Sequence, residues 1–79
     1  MTNLEKYNNI FCETFGVDAS ALNDNFSNTT ADNWDSVHQL NIVAGFEDEF
    51  DVMLDPEDIV ACTSYAKGKE ILRRYDVEI

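Results

Sequence analysis

Ser36 is the residue of this chain whose type and position most directly suggest chemistry. It stands in the segment Trp34-Asp35-Ser36-Val37, where a long polar stretch ends and an amphipathic acidic helix is predicted to begin. Unpaired backbone N–H groups and the positive end of the helix dipole make such a position suitable for holding a phosphate. Because no second catalytic group accompanies the serine, we interpret Ser36 as an attachment point rather than a nucleophile.

The residues near Ser36 do not predict an enzyme. A serine hydrolase needs a base within reach of the hydroxyl. The only histidine, His38, is two residues further on, which turns it about 200° around a helix. We therefore predict no catalysis by this chain alone and expect His38 to be an exposed polar residue. The acids between Glu47 and Asp58 lack the order of a calcium-binding loop, so no metal site is predicted.

The segments on either side of Ser36 set its surroundings. Apolar spacing predicts a first helix from about Thr2 to Phe15, which Gly16 would end in a left-handed conformation. Residues 17–35 are rich in side chains that compete with helical hydrogen bonds, so a long loop is predicted there. Three apolar residues are expected to pin this loop to the core: Val17, Leu22 and Phe26.

The rest of the chain is also predicted to be helical. A second helix, a connector and a short helical turn are predicted at about residues 36–50, 51–56 and 57–61. Thr63 or Ser64 would cap a last helix that runs through about Tyr75. Gly68 is expected to weaken that helix by about 1 kcal/mol relative to alanine. The predicted fold is all-α: one domain, residues 1–79, forming a small four-helix bundle with three main helices, one short helix and a long first loop.

The second helix has two distinct faces when its residues are placed at about 100° intervals. One broad arc is apolar and is predicted to face the core: Leu40, Ile42, Val43, Phe46 and Phe50. The opposite arc, called here the docking arc, combines small apolar groups with an acid: Val37, Asn41, Ala44 and Asp48. With Glu47 at its margin, this arc is predicted to bind a basic, partly apolar partner. The alternative is that Val37 and Ala44 are ordinary exposed residues.

Charge is distributed unevenly along the chain. The net charge is −11, and twelve acidic residues but no Lys or Arg occur between Tyr7 and Ala66. Such a field repels nucleic acid and anionic membranes and steers the protein towards basic partner surfaces. Acidity that serves only solubility is the alternative.

The two cysteines and the apolar runs indicate where the protein acts. Cys12 and Cys62 are far apart and sit among apolar residues, as expected for reduced core thiols in a cytosolic protein. No signal peptide is predicted, and no apolar run approaches the roughly 20 residues of a membrane span. We expect a cytoplasmic monomer that binds neither membranes nor nucleic acid.

Several segments together resemble the acyl carrier protein family, the phosphopantetheine-binding carrier domains. The matching pieces are Phe15-Gly16-Val17, Asp35-Ser36-Val37, Phe46-Glu47-Asp48-Glu49-Phe50-Asp51, Asp55-Pro56-Glu57-Asp58 and Thr63-Ser64. The resemblance covers essentially the whole chain, including helix lengths and order. It implies that Ser36, preceded by Asp35, carries a 4′-phosphopantetheine arm derived from coenzyme A. The implied partners are a phosphopantetheinyl transferase and acyl-loading, synthase or acyltransferase enzymes with basic docking surfaces.

The chain departs from the family pattern around this serine. Val37 stands where the family usually has Leu, Asn41 where it usually has an acid, and Ala44 where Met is frequent. Trp34 replaces a small residue, and Asn33 replaces a frequent Gly. Asn33 still tolerates a left-handed conformation. These departures favour a dedicated carrier from a specialised biosynthetic or cell-surface pathway over central fatty acid synthesis. The short chain with its initiator Met is expected to be a free-standing acyl carrier. Two alternatives stay open: an aminoacyl or peptidyl carrier, and an unmodified acidic interaction module.

Overall fold

Four α-helices and one 3₁₀ turn make up most of the chain. A computed structural model describes residues 2–79, and about 60% of the chain is helical. The helices are α1 (Asn3–Phe15), α2 (Ser36–Phe50), α3 (Pro56–Ala61) and α4 (Tyr65–Arg74). The described residues form no β-strand, apart from a single bridge in the loops, so the predicted all-α bundle is confirmed.

The helices begin and end at residues whose side chains or backbone angles define those ends. Thr2 and Glu5 form a reciprocal capping box at the start of α1, and Gly16 ends this helix at φ 66°, as predicted. Asp51 ends α2 in the same left-handed region, at φ 52°. Of the two residues proposed to cap α4, Ser64 does so. Local sequence signals therefore account for the helix boundaries.

The long loop of residues 17–35 is fixed to the rest of the fold. It contains the 3₁₀ turn, Ala19–Ala21. Its middle pairs with the α3–α4 connector and the first residue of α4 through two backbone hydrogen bonds, from Asn28 N–H to Thr63 O at 2.9 Å and from Tyr65 N–H to Phe26 O at 2.8 Å. Val17, Leu22 and Phe26 pack, partly buried, against the core, as predicted. The loop is therefore held in place on the side of the bundle that leads to Ser36.

Aromatic rings fill the core between the long helices. Tyr7 and Phe11 of α1 and Phe46 of α2 are completely buried, and the Tyr7 and Phe46 rings stack with centroids 5.2 Å apart. Helix α4 approaches them at Gly68, where an added Cβ would overlap the Tyr7 hydroxyl and lie 3.3 Å from the Phe46 ring. Gly68, expected only to weaken its helix, is thus the residue that lets α4 pack closely against α1.

Helix α3 depends on tertiary bonds for its position. It has only six residues, and a helix this short is not stable in isolation. The Asp58 carboxylate accepts hydrogen bonds from the Arg74 guanidinium at 2.7 Å and from the Tyr75 hydroxyl at 2.6 Å. The Tyr75 oxygen in turn accepts the Asp55 N–H at 3.1 Å. These contacts fix the start of α3 to the end of α4.

One expectation about the region of Ser36 was wrong. Leu40 was placed on the core face, but its side chain is 56% exposed, because it lies about 120° around the helix from the buried Phe46. Asn33 tolerates a left-handed conformation but does not adopt one, since in the described chain only Gly16, Asp51 and Asp76 have positive φ. Asn33 instead uses its side-chain amide to donate a hydrogen bond to Phe15 O at 3.2 Å.

Candidate functional site

Ser36 is the first residue of α2, and its side chain is exposed. Among the described residues, none forms a hydrogen bond with its hydroxyl. Ser64, the other serine at a helix start, is half-buried, and its hydroxyl accepts the Lys67 N–H at 2.9 Å. Of the two helix-start serines, Ser36 is therefore the one with an accessible and uncommitted hydroxyl.

Asp35 anchors the helix end on which Ser36 sits. Its carboxylate accepts the His38 N–H at 2.9 Å and lies 2.7 Å from His38 Nδ1. The hydrogen bond from the His38 backbone, and then that from its ring, hold the pKa of Asp35 below its ordinary value. The carboxylate is therefore ionised at neutral pH, and it rigidly caps the helix next to the serine.

His38 is more enclosed than expected. Its ring stacks on Phe15 with centroids 5.6 Å apart, and its side chain is 30% exposed. The prediction of an exposed polar residue was therefore wrong, because Phe15 offers an aromatic face at the point where α2 begins. The imidazole contacts Phe15 and Asp35 and acts in holding the first turn of α2 against α1.

An open groove of about 440 Å³ lies beside Ser36, between the start of α2 and the end of α3. Ser36 and six further residues line it: Asn28, Gln39, Leu40, Ile59, Val60 and Thr63. Leu40 and Val60 are 56% and 73% exposed, so two large apolar side chains face solvent at the groove. A group tethered to Ser36 would find apolar contacts within a short distance of its attachment point.

Gln39 connects three elements around this groove. Its Oε1 accepts the Trp34 indole N–H at 3.1 Å, and its Nε2 donates to Ile59 O at 2.8 Å. The sequence analysis missed this residue, although a signal was present. Gln39 lies about 20° from Phe46 around the helix, in the middle of the core face. An amide at that position needs buried partners.

The docking arc is exposed over its whole length. Val37 is 64% exposed, and Asn41, Ala44 and Asp48 are exposed as well. Glu47 differs, because it is half-buried and its carboxylate accepts the Leu54 N–H at 3.1 Å. Glu47 therefore holds the connector after α2 in place, whereas the four docking-arc residues leave an unobstructed surface next to Ser36.

The sequence matches no protein-family model, and no curated protein is significantly similar to it. None of the helices within residues 2–79 is long and apolar enough to cross a membrane. In the same part of the chain, no group of three or more His, Cys, Asp or Glu side chains is placed to hold a metal ion.

Proposed function

We propose that this chain is a carrier protein whose Ser36 hydroxyl bears a 4′-phosphopantetheine arm, and that acyl groups are held on this arm and presented to partner enzymes. The observation that supports this most directly is the exposed hydroxyl of Ser36, without a hydrogen-bond partner among the described residues, at the capped start of α2. A rigid attachment point with an accessible oxygen is what a tethered group requires.

The surroundings of Ser36 fit a phosphodiester. Attachment forms a bond between Ser36 Oγ and phosphorus and breaks the pyrophosphate bond of coenzyme A. Adenosine 3′,5′-bisphosphate leaves, the serine proton is lost to a base of the transferase, and the negative phosphodiester stays at the helix start. The positive end of the α2 dipole stabilises that charge. Repulsion from Asp35 is reduced because its carboxylate already accepts hydrogen bonds from His38. The arm supplies the thiol that forms thioesters, and the protein supplies its mount and recognition surface.

The groove supports the acyl class of cargo. Leu40, Ile59 and Val60 give it an apolar lining next to the attachment point, and burying apolar cargo against such side chains gains roughly 25 cal/mol per Å². An amino acid attached to the arm would bring an ammonium group to the same apolar lining, where it gains less. For this reason we propose acyl groups ahead of aminoacyl groups.

The position of His38 supports a carrier over a hydrolase. A hydrolytic serine requires a base that accepts its proton. None of the described residues, His38 among them, forms a hydrogen bond with the Ser36 hydroxyl, and the His38 ring is stacked on Phe15. The chain is therefore proposed to present its cargo, with catalysis supplied by partner enzymes.

The docking arc is the surface by which we propose those partners approach. Val37 and Asp48 lie on the same exposed side of α2 that begins at Ser36. An enzyme that reaches the arm along α2 meets small apolar groups flanked by acids, which complements a basic groove with an apolar floor. The proposed partners are a phosphopantetheinyl transferase and acyl-loading, synthase or acyltransferase enzymes.

Intact-mass spectrometry tests the proposal. The chain is incubated with coenzyme A and a promiscuous phosphopantetheinyl transferase, and we expect the mass of one phosphopantetheine to be added. Ser36→Ala should remain unmodified while keeping its circular dichroism spectrum. Ser20→Ala, a matched change at an exposed serine in the long loop, should be modified like the wild type. No mass gain in the wild type would refute the carrier proposal and favour the acidic interaction module.

A further inference from the structure

Gln39 reaches from α2 to α3 at the groove, and its partners on both sides are held firmly. Trp34 is buried, and its ring packs on those of Phe15 and Phe11 at centroid distances of 4.9 Å and 6.0 Å. The indole N–H therefore gives the Gln39 amide oxygen a fixed anchor. The amide nitrogen, directed by that anchor, meets Ile59 O at 2.8 Å and Val60 O at 3.4 Å.

The carbonyl groups that Gln39 binds are at the C-terminal end of α3. The last carbonyls of a helix have no intrahelical N–H partner. Apart from Gln39, Ile59 O accepts a hydrogen bond only from the Cys62 N–H, at 3.4 Å. Asp58 ties the start of α3 to α4, and no residue other than Gln39 ties its end to α2 by a side-chain hydrogen bond within residues 2–79. Backbone bonds hold Thr63 and Tyr65, just beyond α3, to the long loop, and Gln39 is the side chain that holds the end of α3 to α2.

We propose that Gln39 is a positioning residue that fixes the depth of the groove beside Ser36. Its amide spans the gap between α2 and α3, with the groove on one side and Trp34 on the buried side. Cargo carried on the arm is thereby confined to the outer groove against Leu40 and Val60. It does not enter between α2 and α3. This confinement rests on the proposed function.

The penalty for deeper entry follows from the partners that Gln39 would lose. An alkyl chain that displaced the amide would leave the buried Trp34 N–H without a partner and the Ile59 carbonyl with only the long hydrogen bond from the Cys62 N–H, at 3.4 Å. Unsatisfied buried groups of this kind disfavour a state by a factor of about 10 to 100 each. Since the outer groove already offers apolar contact without that penalty, a saturated chain is expected to remain there.

The first test uses the unmodified chain. Gln39→Met keeps the length of the side chain but removes its amide, and we expect amide hydrogen exchange in α3 to accelerate about fivefold to tenfold, the factor for one net hydrogen bond or slightly more. Exchange in α1 and α4 should stay unchanged. The fluorescence of Trp34, the only tryptophan, should shift because its N–H loses its acceptor.

Asn33→Ala provides the matched control. It also removes a side-chain amide that donates to a backbone carbonyl, Phe15 O at 3.2 Å, but this bond does not involve α3. The control should leave α3 exchange as in the wild type. Equal acceleration in both variants, or none in Gln39→Met, would overturn the positioning role whatever the function of Ser36.

The second test loads the arm with acetyl, hexanoyl or decanoyl groups and measures thioester hydrolysis and the melting temperature. In the wild type, the hydrolysis rate and the melting temperature should vary little once the acyl chain is longer than the outer groove can cover. In Gln39→Met, the decanoyl form should hydrolyse severalfold more slowly than the acetyl form, because the chain can now enter between the helices. Strong length-dependent protection in the wild type would overturn the confinement of cargo. Failure of the wild type to load would refute the proposed function and the confinement with it, while the exchange experiment would still decide the positioning role.

Discussion

Replacing Gly68 by alanine is expected to destabilise the bundle, although alanine is the better helix former. An added Cβ would overlap the Tyr7 hydroxyl and lie 3.3 Å from Phe46 Cζ. Both rings are completely buried and stacked on each other, so neither can move aside freely. The Tyr7 hydroxyl donates a hydrogen bond to Tyr65 O, and displacement of the ring would break that bond.

The magnitude follows from three contributions. Helix propensity favours alanine by about 1 kcal/mol. Overpacking of a filled core opposes it by about 1–3 kcal/mol, and the broken bond between Tyr7 and Tyr65 O adds about 1–3 kcal/mol. The net loss is about 1–5 kcal/mol, and each kcal/mol lowers the melting temperature of a domain of this size by about 4–8 °C.

Urea unfolding of a double-mutant cycle tests this account. Tyr7→Phe removes the hydroxyl that the new methyl group would meet, so Gly68→Ala should be close to neutral in that background. The coupling between the two sites should be at least about 1 kcal/mol. Gly45→Ala is the matched control, since its Cβ would meet Ile10 Cγ2 at 2.8 Å rather than Tyr7, and its effect should be the same with and without Tyr7→Phe. If Gly68→Ala stabilises the protein equally in both backgrounds, the close approach of α4 to Tyr7 is not what the glycine provides.

Three further predictions concern the surface, the α3–α4 contact and the thiols. Asp48→Lys on the docking arc should slow modification of Ser36 by a transferase at low salt, and the modification rate should recover as salt is raised, because electrostatic steering is screened. Asp24→Lys makes the same charge change in the loop and should slow modification less. Equal slowing by the two variants would show that only net charge matters. The Tyr75 hydroxyl and the Arg74 guanidinium hold the pKa of Asp58 below its ordinary value, so the stability they contribute is complete above about pH 4 and is lost as the pH falls through the pKa of Asp58 in the folded protein. Asp58→Asn should therefore be less stable at neutral pH, and its urea resistance should fall less steeply below pH 4. The same pH dependence in the variant and the wild type would contradict this. Burial raises the pKa of the Cys62 thiol to about 12, whereas Cys12 is half-buried. A disulfide reagent should therefore modify one thiol per native chain, at Cys12. Modification of both thiols at the same rate would contradict the burial of Cys62.

The helix boundaries could be predicted because their signals are local. Gly16 in the left-handed region, Ser64 accepting the Lys67 N–H and Asp35 capping α2 all act within a few residues. Such contacts depend on backbone geometry that neighbouring residues share. The exposure of the docking arc was also predictable, since it follows from the angular spacing of α2 alone.

The surroundings of Ser36 were less predictable because they depend on distant residues. Leu40 was expected in the core, yet whether its side chain is covered depends on where α3 ends. His38 was expected to be exposed, yet Phe15 of another helix encloses one of its faces. Leu40 was assigned to the core face although it lies about 120° around the helix from Phe46. For His38, helical spacing gave the direction of the side chain but could not show that Phe15 packs there.

The sequence by itself determined the all-α class, the ends of the helices and the place of Ser36 at the start of an acidic helix, since each follows from interactions between near neighbours along the chain. Only the tertiary structure decided the groove beside Ser36, the attachment of Gln39 to Ile59 and the close approach of α4 through Gly68. These features join residues far apart in the sequence. They depend on how side-chain volumes and hydrogen-bonding groups of separate helices meet, which no local pattern encodes.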